Sequence, residues 1–194
     1  IKFNQSASLE AQISAISDDI AYNNHDIQDG IRANMFTLTE LIEINFFKDI
    51  YNSHKKYIKK NNKEILIYQI IRDSIDLMVK DLIKNTIKNL KTNKIKSIND
   101  IYKSKIPVVC FSEKYLIIEK EIKFFLRTKM YNNINVLTKN NKGKKIIRDL
   151  FLSIKKKPNK FLTKEEINNS KYRAIADFIS GMTDRFAIKL HKNI

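Results

Sequence analysis

The sequence predicts an all-α fold, and three features carry that expectation. Its 194 residues include only three Gly and two Pro, so the residues that end helices and turn strands are scarce. Apolar side chains recur at three- and four-residue spacing, as in Ile67, Ile71, Ile75, Met78 and Leu82, which is the period of a helix with one buried face. Thr37 and Thr163 are each followed three residues later by a Glu, Glu40 and Glu166. At that spacing a hydroxyl and a carboxylate satisfy each other's free backbone amides at a helix start. With 43% hydrophobic residues the chain can bury the core of one domain or of a large piece of one.

The elements follow in order. A first helix runs to about Gly30, with Leu9, Ile13, Ile16 and Ile20 as its packing face. Thr37 then caps a second helix. Residues 64–91 form a long amphipathic helix, and 92–111 read as polar and irregular up to Pro107. Helices at about 113–131, 143–155 and 170–190 complete the chain. The penultimate one stops before Pro158, and the Thr163 capping box precedes the last. In that last helix Ile175, Phe178, Ile179, Met182 and Phe186 make an apolar stripe around Gly181. A mid-helix Gly costs roughly 1 kcal/mol relative to Ala, which predicts a close helix-helix contact there. Asp177 and Asp184 read as ion-pair or capping partners of Arg173 and Arg185.

Composition narrows the function classes. The single Cys110 excludes an internal disulfide and, following Val108 and Val109, reads as a buried thiol rather than a nucleophile. No apolar run reaches the roughly 18 residues of a membrane span, and no secretion signal is present, so the cytoplasm is the expected location. A net charge of +16 suits either a solvated surface or contact with a polyanion, a triphosphate or single-stranded nucleic acid. Abundant Lys, Asn and Ile match A/T-rich codon usage. The Lys runs at 55–60, 142–145 and 155–160 fall in expected loops or helix ends, without the interleaved aromatics of a base-stacking platform.

The first helix holds the most informative pattern. Asp18, Tyr22 and Asp26 are four residues apart, so successive side chains drift only about 40° and form one stripe, which Glu10 and Ser14 extend upstream. The stripe reads as a solvated face or as carboxylates grouped around a ring, the set that a hard cation and a sugar would need. Asp19 competes with Asp18 as a metal ligand but lies outside the four-residue register. His25-Asp26 is a His-Asp dipeptide, yet no His precedes it, and His54 and His191 have no ligand-like spacing to it.

Residues 8–33, Ser-Leu-Glu-Ala-Gln-Ile-Ser-Ala-Ile-Ser-Asp-Asp-Ile-Ala-Tyr-Asn-Asn-His-Asp-Ile-Gln-Asp-Gly-Ile-Arg-Ala, resemble the central helix of the bacterial deoxyguanosine triphosphate triphosphohydrolase-like proteins of the HD phosphohydrolase superfamily. Later blocks resemble the same family in the same order. They are Pro107–Ser112, Phe124-Phe-Leu with Met130-Tyr131, Gly143–Phe151 and Tyr172–Phe186.

The resemblance implies roles: Asp18 as the last ligand of a divalent metal, Mg or Mn; Tyr22 against the deoxyribose; Asp26 at its 3′-hydroxyl. The implied reaction turns a deoxynucleoside triphosphate and water into deoxynucleoside and tripolyphosphate. The family's His, His-Asp and catalytic-loop residues lie upstream of this helix. Residues 1–35 are therefore expected to be the end of an HD domain and 36–194 a helical phosphohydrolase-associated C-terminal region. A C-terminal portion of this kind is expected to be inactive alone, with a homo-oligomer or the missing N-terminal half as its partner. Three departures stand out. Ile65 and Tyr68 occupy positions where the family tends to have an Arg and a His, and Asn132 and Asn133 replace a His after Met130-Tyr131. The alternative reading is a non-catalytic basic helical module that binds nucleic acid or a partner subunit.

Overall fold

A computed structural model describes residues 5–55 and 62–194, all helix, turn and loop with no strand among them. The Lys run at 55–60 lies, after Lys55, outside the described residues. No described helix is long and apolar enough to cross a membrane. The chain divides into two compact units, Ile1–Asn133 and Ile134–Ile194.

In the first unit α1 (Leu9–Arg32) packs on α4 (Lys63–Thr92) and α6 (Glu113–Leu126). Between α1 and α4 come the short α2 (Leu38–Leu41) and α3 (Asn45–His54), the latter also lying on α4. The Thr37–Glu40 box forms as expected, each side chain bonding the other residue's amide. Ser8 caps α1, which closes past Gly30 with Asn34 in the left-handed region (φ 53°), Met35 N donating to Gly30 O and Asn34 N to Ile31 O. These paired bonds satisfy the last carbonyls of α1. Gly30 is required here, because a Cβ would meet the Phe36 ring at 2.2 Å. The turn can fold back onto the helix only where no side chain intervenes. Ile27, Leu41, Phe47, Ile70, Met78, Ile122 and Leu126 are fully buried, as are Ile71 and Leu82 of the expected α4 stripe to within a few per cent. Of the expected packing face of α1, Leu9, Ile16 and Ile20 lie on the core, which continues through Asn23, Asn24 and Ile27, whereas Ile13 is exposed.

The segment between α4 and α6 is less irregular than expected, for Ser97 and Asp100 form a further capping box that starts α5 (Ile98–Lys103). Beyond it, Val108, Val109 and Phe111 are buried, and buried backbone must find partners. Helical side chains supply them. Gln12 Oε1 accepts from the amides of Val108 (2.9 Å) and Val109 (3.1 Å), Asn85 and Asn89 donate to the carbonyls of Cys110 and Val108 at 2.9 Å, and Asp81 accepts from Ser112 N and Oγ. Cys110 is only half-buried, its sulfur 3.2 Å from the Asn89 amide nitrogen. A π-helical turn, Arg127–Tyr131, replaces the expected continuation of α6.

The second unit is α7 (Ile134–Lys156), a 3-10 turn at Pro158–Lys160, α8 (Lys164–Ser180) and α9 (Asp184–Lys192), around Leu150, Ile154, Leu162, Ile175, Ile179 and Ala187. The Thr163–Glu166 box opens α8. Two expectations are corrected. Helix α7 begins nine residues before Gly143, whose Cβ position is open space, so that Gly is no boundary. The expected 170–190 helix is two helices, because Gly181 ends α8 and Thr183 accepts from Phe186 N to start α9. Gly181 is exposed, and no tight helix contact surrounds it. Asp177 pairs with Arg173 at 2.9 Å as expected, whereas Asp184 opens α9 as its first residue.

Candidate functional site

The stripe on α1 is real, but its members meet different surroundings. Asp18 is exposed and has no hydrogen-bond or ion-pair partner among the described residues. Tyr22 leaves 66% of its surface open. Asp26 is half-buried. The cause is the drift itself: two four-residue steps rotate the side chain by about 80°, carrying Asp26 from the solvent face toward the flank where the chain after α6 passes.

There the hydroxyl of Tyr131 donates to Asp26 Oδ2. Burial, reinforced by this bond and the charge on Asp26, pushes the Tyr131 phenol up to about 12, so it stays a neutral donor throughout the physiological range. The π turn aims it. One extra residue in a helical turn rotates everything after it by roughly 100°, and Asn132 N donating to Arg127 O closes that wider turn. Within the turn, Lys129 Nζ donates to Glu40 Oε1 at 2.7 Å. Lys129, with the amide and hydroxyl of Thr37, holds the Glu40 carboxyl down at about 2. The turn thus touches α1 through Tyr131 and α2 through Lys129.

Asp19 belongs to another network, for it accepts from Lys123 Nζ at 3.0 Å, and Lys123 also pairs with Glu119. Of the two adjacent carboxylates, Asp18 is therefore the one open to a ligand. His25 is exposed beside the stripe. His54 and His191 serve local pairs, with Asp73 at 2.5 Å and Asp149 at 2.9 Å. At the far end of α1 the Arg32 guanidinium donates to the Tyr68 hydroxyl and lies 5.5 Å from its ring centre, while Ile65 is exposed one turn earlier on α4. So Tyr68, one of the departing positions, is brought to the α1 terminus.

Among the described residues no group of three or more His, Cys, Asp or Glu could hold a metal ion. These residues alone do not fit a complete metal centre, and Asp18 could contribute one oxygen ligand. What the arrangement offers is a free carboxylate, an open ring and a second carboxylate fixed by a neutral donor, with Oδ1 not engaged by Tyr131. Sequence spacing indicated the stripe but not Tyr131, which lies 105 residues from its partner and leaves no local signal.

Residues 109–193 match the family model of a phosphohydrolase-associated domain. The chain is similar to proteins called deoxyguanosinetriphosphate triphosphohydrolase-like protein. It is 72% identical over 194 residues to that of Pelagibacter ubique, covering all of this chain and 52% of the relative. For Bartonella henselae the identity is 34% over 200 residues, covering all of this chain and 50% of the relative. For Leptospira interrogans it is 37% over 193 residues, covering 96% of this chain and 51% of the relative. The chain spans about half the length of the curated relatives it matches. Along its whole length it is similar to part of a deoxyguanosinetriphosphate triphosphohydrolase-like protein, as its residues indicated.

Proposed function

We propose that this chain is the part of a deoxynucleoside triphosphate triphosphohydrolase that completes the metal centre and reads the sugar. Asp18 supplies one oxygen ligand to a divalent ion, the others coming from outside the described residues. When bound, such an ion would polarise phosphate and activate water. Tyr22 lies along the deoxyribose and excludes a ribose by crowding C2′. Asp26 accepts from the 3′-hydroxyl, which leaves a substrate lacking that hydroxyl facing an unpaired acceptor. The observation that carries this reading is the division along α1: Asp18 and Tyr22 are open, while Asp26 is held in place by Tyr131. The similarity to deoxyguanosinetriphosphate triphosphohydrolase-like proteins supplies the reaction class.

Alone, residues 1–194 release no tripolyphosphate from any deoxynucleoside triphosphate with Mg²⁺ or Mn²⁺. Joined to the uncovered half of the Pelagibacter ubique relative, the chain gives hydrolysis that Asp18→Ala abolishes. In that active form Tyr22→Ala raises ribonucleotide use relative to deoxyribonucleotide use, and Asp26→Ala slows turnover of 3′-hydroxyl substrates by roughly 1–3 kcal/mol in transition-state stabilisation. Unchanged rate and sugar preference in all three variants would reduce the stripe to a solvated helix face.

A further inference from the structure

The chain has three glycines, and two of them have a reason within it, since Gly30 makes room for the Phe36 ring and Gly181 ends α8. Gly143 has none. It stands exposed inside α7, where glycine weakens a helix relative to alanine, and nothing lies within 4 Å of where its Cβ would be. Around it runs an open groove of about 360 Å³ between α7 and α9, lined by Ile147, Ala187 and Ile188. Lys139, Gly143, Ile147 and Leu150 recur at four, four and three residues, so the groove prolongs the α7 face that buries Leu150. Ile147 and Ile188 nonetheless leave 46% and 44% of their surface open. Lys139 and Lys142 edge the groove on α7, both in the part of the helix that precedes its expected start. Neither has an ion-pair partner among the described residues. Asp184, on the α9 side, has none among them either and sits in the first turn, where the helix dipole favours a carboxylate. This unit holds fifteen Lys and Arg against five Asp and Glu. Of those five, Asp149 and Asp177 already serve His191 and Arg173, and Glu166 caps α8. Carboxylates for Lys139 and Lys142 therefore come from another molecule.

We infer that the groove between α7 and α9 docks an acidic amphipathic helix of a partner protein, its aliphatic face over Gly143 and its carboxylates on Lys139 and Lys142. A helix seated in a groove buries side chains at three- and four-residue spacing, and the bare backbone at Gly143 lets its axis come close. Lys139 and Lys142 are three residues apart, so they present two cations within one turn of α7, the spacing at which carboxylates one turn apart on the incoming helix meet them. The groove is aliphatic and offers no ring on which a base could stack. A membrane surface would meet a convex apolar face rather than a groove with Asp184 at its edge.

The test titrates the full chain with a labelled peptide of about eighteen residues, long enough to be helical, that carries Leu and Ala on one face and Glu along its edges. Fluorescence anisotropy is expected to show saturable binding that weakens with salt, and amide NMR shifts to move at Gly143, Ile147, Ala187 and Ile188. The counterpart with Lys in place of Glu binds at least about tenfold more weakly. Gly143→Leu, which favours α7 itself and so keeps the fold, fills the groove and weakens binding at least about tenfold. Lys139→Glu combined with Lys142→Glu weakens it as much and removes the salt dependence, whereas Lys88→Glu, on the exposed face of α4, has little effect. The proposal is overturned if the Glu peptide does not bind, if the Lys peptide binds as tightly, if Gly143→Leu binds like the parent, or if the shifts fall outside the groove. Sedimentation of the chain alone adds a further arm: association that Gly143→Leu abolishes would make the occupant a second copy and overturn the proposal equally.

Discussion

The two units solve the same problem, packing helices in a basic chain, with different means. The first buries large side chains from several helices, among them Phe47, Ile70, Met78 and Ile122, and pairs aromatic rings, with Phe36 edge-on to Phe125 at 4.8 Å. Its partly buried loop between α5 and α6 is held by side chains of α1 and α4. The second has six core residues and a surface crowded with Lys. A 61-residue unit buries a smaller share of its surface than a larger one, so its margin is thin. The contrast teaches that a fixed long-range contact such as Tyr131 to Asp26 comes with a deep core, whereas a charged surface needs only enough core to keep three helices together.

Truncating each core breaks the comparison most directly. Phe47→Ala removes about 3–5 kcal/mol from the first unit, and Ile154→Ala about 2–5 kcal/mol from the second. Native-state hydrogen exchange is expected to show Ile154→Ala abolishing protection across α7, α8 and α9, while Phe47→Ala lowers but does not erase it in α1 and α4. Equal residual protection in the two units would contradict the difference in margin.

Two glycine substitutions sharpen it further. Gly30→Ala drives a methyl into the Phe36 ring, at a cost of about 1–3 kcal/mol in denaturant unfolding. Gly181→Ala meets only the Asp177 and Phe178 carbonyls, at 3.5 and 3.8 Å, with right-handed φ and ψ, so it is expected to stabilise by about 0.4–1 kcal/mol. Reversed signs would mean that the second glycine, not the first, marks a close contact.

A smaller effect comes from the caps. Thr163→Ala removes the acceptor for the Glu166 amide and is expected to cost about 1 kcal/mol, seen first as loss of helix content in α8 on heating.

Titration gives the finest distinction, because the groups shifted furthest both lie in the first unit, at the contacts of the π turn. Glu40 is depressed to about 2, so the stability it contributes is present above its ordinary 4.5 and is lost as pH falls from there toward 2. Tyr131 is raised to about 12, so its contribution is full below 10 and disappears as pH rises through 12. Carboxyl carbon NMR shifts follow the first, and tyrosinate absorbance the second. Asp26→Asn is expected to bring Tyr131 back toward 10, and a phenol that does not respond would show that the two do not interact.

Much of the fold was legible because its causes are local. The boxes at Thr37 and Thr163, the stripe of α4 and the alignment of Asp18, Tyr22 and Asp26 depend on residues three or four apart, and chain geometry alone brings those together. The break at Gly181 was local too. The apolar period continues through it and hides it, but the capping hydroxyl of Thr183 outweighs that period.

What the tertiary structure decided lies at long range. Tyr131 reaches Asp26 across 105 residues, Gln12 satisfies the Val108 amide across 96, and Phe36 fills the space that Gly30 leaves. Tyr172 meets Phe151 only because α7 and α8 pack side by side. Helical periodicity says which residues share a face, but which face meets which depends on the crossing of helices that no short window contains.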